Sequence, residues 1–143
     1  MKIAVDFDGT CVTHEYPKVG RDIGAVSVLK KLTEAGHLLI LNTMRCGKEL
    51  RDAVNWFIKN GIPLYGVNKD PGQKNWTKSP KVFANVYIDD AALGCPLHYP
   101  VVDIKPNGDR IYGRPHVDWQ KIDALFAKDN FYSSPDPVIG KEE

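Results

Sequence analysis

Residues 38–42, Leu-Leu-Ile-Leu-Asn, form an unbroken apolar run closed by an amide. A run this short with no polar face predicts a strand buried on both sides, as in the interior of a parallel sheet. The flanking segments agree. Residues 24–35 carry Ala25, Val28, Leu29, Leu32 and Ala35 at helical spacing, with Gly36 as a left-handed stop. Residues 48–59 repeat the pattern through Leu50, Val54, Phe57 and Ile58, and Gly61 closes it. Residues 2–7, 64–67 and 86–89 read as further strands. Strand and helix in alternation predict parallel strands joined by right-handed helical crossovers. The expected fold class is therefore α/β, a three-layer α/β/α sandwich around a mainly parallel sheet.

A chain of 143 residues suits one domain, expected over residues 1–132. Hydrophobic residues at 43% and charged residues at 26% exclude a disordered chain. No apolar run approaches the ~20 residues of a membrane-spanning helix, so no membrane partner is expected. A formal charge of +1 gives no strong nucleic-acid signal and leaves room only for a local basic patch. Cys11, Cys46 and Cys95 are odd in number and widely spaced, which argues for a reducing, cytoplasmic setting. Cys11 and Cys46 read as small buried residues. Asn107-Gly108 predicts a hairpin between 101–104 and 110–112. A last helix is expected over 118–127. Trp119, Phe126, Phe131 and Tyr132 read as packing rather than a base-stacking platform. Two prolines in 133–143 mark a flexible tail.

In parallel α/β sheets, ligands bind beyond the carboxyl ends of the strands. Those ends carry Asp6-Phe7-Asp8-Gly9-Thr10, Asn42-Thr43 and Asp89-Asp90. Distant segments thus bring carboxylates and a hydroxyl to one edge. In this order the motifs resemble those of the haloacid dehalogenase-like (HAD) hydrolase superfamily, along most of residues 1–95. Asp-x-Asp-Gly-Thr is its first motif and Leu39-Ile40-Leu41-Asn42-Thr43 looks like its second. A lysine within 78–81 would be its third, and Ile88-Asp89-Asp90 looks like its fourth. The runs Thr43-Met44-Arg45, Tyr65-Gly66-Val67-Asn68 and Tyr87-Ile88-Asp89-Asp90 also resemble a group of small bacterial and phage members. The resemblance implies a Rossmann-like fold and a Mg²⁺-dependent phosphatase acting through an aspartyl-phosphate.

On that resemblance Asp6 is the nucleophile and Asp8 the acid and base that serves the leaving alcohol and then water. Mg²⁺ would take the Asp6 carboxylate, the Asp8 backbone carbonyl and Asp89, with Asp90 at or near its shell. Thr43 would hydrogen-bond a phosphate oxygen. Gly9, Thr10, Met44 and Arg45 are the substrate-binding candidates. Arg45 either binds substrate phosphate or sugar, or forms an ion pair ahead of the helix. Ser79-Pro80-Lys81 reads as N-cap, first-turn proline and lysine, so Lys81 is preferred over Lys78 as the charge-stabilising cation. His14, Glu15 and Tyr16 either line the entrance as a flap or form a plain loop. Asn68 and Lys69 end another strand at the same edge.

Neither Cys11–Ile23 nor residues 44–80 leaves room for a folded cap. A capless site fits a phosphorylated small molecule or a phosphorylated polymer end as partner, and a homo-oligomer is compatible with it. The rival readings are a phosphotransferase of the same superfamily, a metal-binding module with little turnover and a receiver-like domain. A receiver would want its acceptor aspartate where 38–43 ends in Asn-Thr.

Overall fold

The computed structural model describes residues 1–133. The expected flexible tail lies outside the described residues, apart from Ser133. In chain order the elements are β1 (Lys2–Val5), α1 (Ala25–Glu34), β2 (Leu38–Leu41), α2 (Gly47–Lys59), β3 (Gly66–Val67), β4 (Val86–Ile88), β5 (Leu97–His98), β6 (Val101–Ile104), β7 (Arg110–Tyr112), β8 (His116–Val117) and α3 (Trp119–Lys128). A 3-10 turn spans Gln73–Asn75. The α/β class is as expected. Four parallel strands form the main sheet in the order β3-β2-β1-β4. β5 pairs with β8, and β6 with β7, in two small antiparallel ribbons.

Register decides which side chains meet. Ile3 lies beside Leu39 and Val86, and Val5 beside Leu41 and Ile88. Strand side chains alternate, so these residues share one face. Against that face pack Val28, Leu29 and Leu32 of α1, Ala53 and Phe57 of α2, and Trp119, Ile122 and Phe126 of α3, in one cluster. Ala4 and Ile40 point the other way and are covered by Val82 and Ala84 of the long β3–β4 connection. Each fully buried Leu, Ile or Phe contributes about 1.5–3 kcal/mol by leaving water.

Local chemistry sets the element ends. The Asp22 carboxylate accepts from the N–H groups of Gly24, Ala25 and Val26, at 3.2, 2.9 and 3.3 Å, and so caps α1. Beyond α1, Gly36 takes a φ of +92°, and the His37 N–H donates back to the Leu32 carbonyl at 3.1 Å.

Two expectations need correction. The strand read over 64–67 is confined to Gly66–Val67. No helix begins at Ser79-Pro80-Lys81; the chain runs from the 3-10 turn to β4 without one. Gln73 explains this. Its side-chain amide donates to the carbonyls of Ser79 and Lys81, and its Oε1 accepts the Phe83 N–H at 2.8 Å. The backbone groups that a helix would have satisfied are held by one glutamine instead.

Candidate active site

The carboxyl ends of β1, β2 and β4 converge on an open cleft of about 590 Å³. Asp6 follows β1 and its N–H still bonds the Ile88 carbonyl at 2.9 Å, so the nucleophile candidate sits on the last rung of the sheet. Asp89 and Asp90 follow β4, the neighbouring strand. One carboxylate oxygen from each of Asp6, Asp89 and Asp90 lies within 4.8 Å of the others. Thr43 follows β2. Its N–H donates to Asn68 Oδ1 at 2.8 Å and its hydroxyl accepts the Arg45 N–H at 3.1 Å.

Thr10 joins the two halves of the acidic cluster. Its hydroxyl donates to Asp6 Oδ2 at 2.8 Å and accepts the Asp90 N–H at 3.0 Å. It is fully buried and does not line the cleft. Thr10 is thus a positioning residue rather than the substrate contact expected. Gly9 also lies behind the surface. Its φ is +75°, and a Cβ there would stand 2.0 Å from the His14 ring and 2.7 Å from Asp90 Oδ2. The missing side chain makes room for His14, whose Nε2 lies 3.1 Å from the Pro115 carbonyl and 3.4 Å from Asp90 Oδ2.

Burial pushes the Asp6 carboxyl up to about 7, with the Asp89 and Asp90 carboxylates adding to the rise and the Thr10 hydrogen bond opposing it. Three acidic groups at such separation, one of them reluctant to ionise, form a donor set suited to a hard divalent cation with oxygen ligands. The Asp8 carboxylate stands outside this set. Arg45 holds it through two parallel bonds, Nε to Oδ2 and Nη2 to Oδ1, both 2.7 Å.

Arg45 resolves one alternative left open by the sequence. The guanidinium is almost wholly buried and lies between the rings of Phe7 and Tyr16, 5.0 and 5.2 Å from their centroids. Its remaining N–H groups donate to the carbonyls of Pro17, Lys18 and Glu49 at 2.6–3.2 Å. All five guanidinium hydrogens are therefore engaged by the protein. Arg45 is an ion-pair clamp, not a hand extended to substrate, and it ties the 14–18 loop to Asp8. The Asp8 bond is the main reason that its pKa is raised further.

Asp6, Asp8, Thr43, Met44, Asp89 and Asp90 line the cleft as expected, with Met44 almost fully exposed at its rim. Of the loop after Asp6, His14 and Tyr16 line it too. Lys81 does not. Its ammonium lies 5.5 Å from the centroid of the Tyr87 ring. Lys78 lines a different cavity. The clamped Arg45 also lines the cleft, and so does a second arginine that sequence reasoning missed, Arg114. It arrives because β8 pairs with β5 and the Val117 N–H bonds the Gly9 carbonyl at 3.0 Å, long-range contacts with no local signal. Cys46 is exposed, contrary to expectation, whereas Cys11 is buried.

No protein-family model and no curated protein matches the chain. Among solved structures, a conserved protein from Bacteroides thetaiotaomicron is similar. It is 35% identical, the alignment covers 90% of this chain and 91% of that one, and the TM-score is 0.69. This chain belongs to that protein's family. Nine-tenths of 143 residues cannot fit within residues 1–95, so membership of the Bacteroides protein's family takes in the C-terminal third as well. Among the described residues, no helix is long and apolar enough to cross a membrane.

Proposed function

We propose that this chain hydrolyses phosphate monoesters through a covalent phosphate on Asp6, as its likeness to the HAD superfamily implies. The observation that carries this reading is the meeting of Asp6, Asp89 and Asp90 at the ends of adjacent parallel strands, beside Thr43.

A phosphate ester repels an anionic nucleophile, so the site must supply positive charge and alignment. Mg²⁺, held by Asp6, Asp89 and Asp90, would supply that charge when bound. In the first half-reaction an Asp6 oxygen attacks phosphorus, the bond to the ester oxygen breaks, and the alcohol leaves with a proton from Asp8. In the second half-reaction water attacks phosphorus, the bond to Asp6 breaks, and Asp8 recovers a proton from the water. Free phosphate is the second product. The Arg45 bonds fix the Asp8 plane and leave each oxygen a lone pair for the proton in transit. Thr43 and Arg114 are the phosphate contacts. The three free cysteines suit a reducing compartment, and we assign the chain to the cytoplasm.

The test is phosphate release from a panel of phosphorylated metabolites and small aryl phosphates, with Mg²⁺ and with EDTA. Release that needs the metal and is lost in Asp6→Asn supports the reading. Equal rates in Asp6→Asn and parent overturn it.

One observation favours a second reading, a phosphate-binding module with little turnover. Arg45 spends every donor on the protein, and no lysine reaches the cleft among the described residues. Binding of phosphorylated ligands with no release over many hours would select it.

A further inference from the structure

We infer that the 69–81 loop is a binding surface for single-stranded nucleic acid, which would present a strand's terminal phosphate to the cleft; the presentation step rests on the phosphatase reading. The overall charge of +1 conceals a strong local bias. Residues 69–81 hold four lysines, Lys69, Lys74, Lys78 and Lys81, against one acid, Asp70. Asp70 is already spent, because Lys2 Nζ bonds both of its oxygens at 3.0 and 2.9 Å and its side chain is buried. The loop therefore presents uncompensated positive charge.

Three of the lysines, 69, 74 and 78, border one cavity of about 360 Å³. Between them in sequence stands Trp76, an indole that is 65% exposed and whose ring meets Phe83 edge to face at a centroid distance of 5.6 Å. A large aromatic costs free energy to leave in water, and here Phe83 props it there within a lysine-rich loop. Alternating cations and an exposed ring form the pattern that grips a phosphate backbone while stacking an unpaired base. The loop is also pre-shaped. Gln73, buried at its centre, holds the backbone of Ser79, Lys81 and Phe83, and the Asp70 carboxylate accepts the Gly72 N–H at 3.2 Å. A pre-ordered surface pays less entropy on binding.

Position links this surface to chemistry. Asn68 borders the lysine cavity and accepts the Thr43 N–H at 2.8 Å, while Thr43 lines the catalytic cleft. The two recesses thus share a wall one hydrogen bond thick. A strand whose phosphates sit in the lysine cavity is separated from Thr43 by Asn68.

The test uses the full chain and labelled oligothymidylates of about 12 nucleotides, with a phosphate at the 5′ end, at the 3′ end or at neither. Binding is read by fluorescence anisotropy in EDTA, where nothing turns over. Trp76→Ala is expected to weaken binding about tenfold, the loss of one stacked base. Lys69→Gln with Lys74→Gln is expected to weaken it too and to lower the slope of log Kd against log salt by about 1.4, or 0.7 per lysine. Both positions are exposed, so the pair remains informative if Trp76→Ala fails to fold. The selectivity ratio, kcat/KM on a phosphorylated oligonucleotide over that on a small aryl phosphate, is expected to fall at least tenfold in either variant.

The inference is overturned if no oligonucleotide binds at 50 mM salt, or if neither variant changes affinity. It is also overturned if inorganic polyphosphate or a phosphopeptide binds more tightly than the strand and without regard to Trp76. Hydrolysis of the small ester without oligonucleotide binding sinks this inference and leaves the phosphatase reading intact. Trp76-dependent binding with no ester hydrolysed does the reverse.

Discussion

Arg45 and Asp8 face each other through two parallel hydrogen bonds of 2.7 Å, with the arginine side chain only 1% exposed. Removing one member of such a pair strands the other, together with the Pro17, Lys18 and Glu49 carbonyls. Arg45→Met is expected to cost about 3–5 kcal/mol of stability, the usual loss when one partner of a buried pair is removed. Urea unfolding of parent and variant measures this. A loss under 1 kcal/mol would show that the clamp is ornamental.

Asp6 opposes the stability of the metal-free fold. Its carboxyl is raised to about 7, so between about pH 4 and pH 7 the native state holds this proton more tightly than the unfolded chain. The stabilisation that proton brings is complete at low pH and is lost as pH rises through 7. Metal-free Asp6→Asn is therefore expected to melt above the parent at pH 8 and to lose that advantage near pH 4, while its activity vanishes. By the same linkage, Mg²⁺ affinity should rise up to about tenfold per pH unit below 7 and level off above, because binding expels the Asp6 proton. Calorimetric titration across pH 5.5–8.5 checks the slope, and a flat profile contradicts it.

Thr10→Val keeps the shape of the side chain and removes the hydroxyl that joins Asp6 to Asp90. Mg²⁺ affinity should fall about 10–100-fold, the range for lost supports behind metal ligands, and Thr10→Ser should restore most of it. Equal affinity in all three proteins would rule out the positioning role.

Arg114→Ala is expected to raise KM for a small aryl phosphate about tenfold or more, consistent with about 1.5–3 kcal/mol for a hydrogen bond to a charged group. Lys81→Ala should change kcat/KM on the same ester less than twofold, since its ammonium lies against Tyr87. The opposite pattern would return Lys81 to the chemistry.

β1, α1, β2 and α2 were legible because each writes its period into a short local window, and the polar ends of the strands follow from strand direction alone. Asp6, Thr43 and Asp89 came with them. Ser79-Pro80-Lys81 also carries a valid local signature for a helix start. It fails because Gln73, several residues upstream, takes the same backbone groups first. Arg114 had no local signature at all. Its place depends on the Leu97–Val117 pairing and on the Val117–Gly9 bond, which no window of sequence contains. The paired hydrogen bonds from Arg45 to Asp8 were hidden in the same way, across 37 residues.

The loop after Asp6 is completed by residues more than a hundred positions further on. Trp119 Nε1 donates to the Thr10 carbonyl at 2.6 Å and the Val117 N–H to that of Gly9. Trp119 lies 109 residues after Thr10, so a polypeptide made from its N-terminus forward makes this loop well before the residues that close over it. The backbone beside Asp6 therefore gains these two bonds only once residues 117–119 have been made.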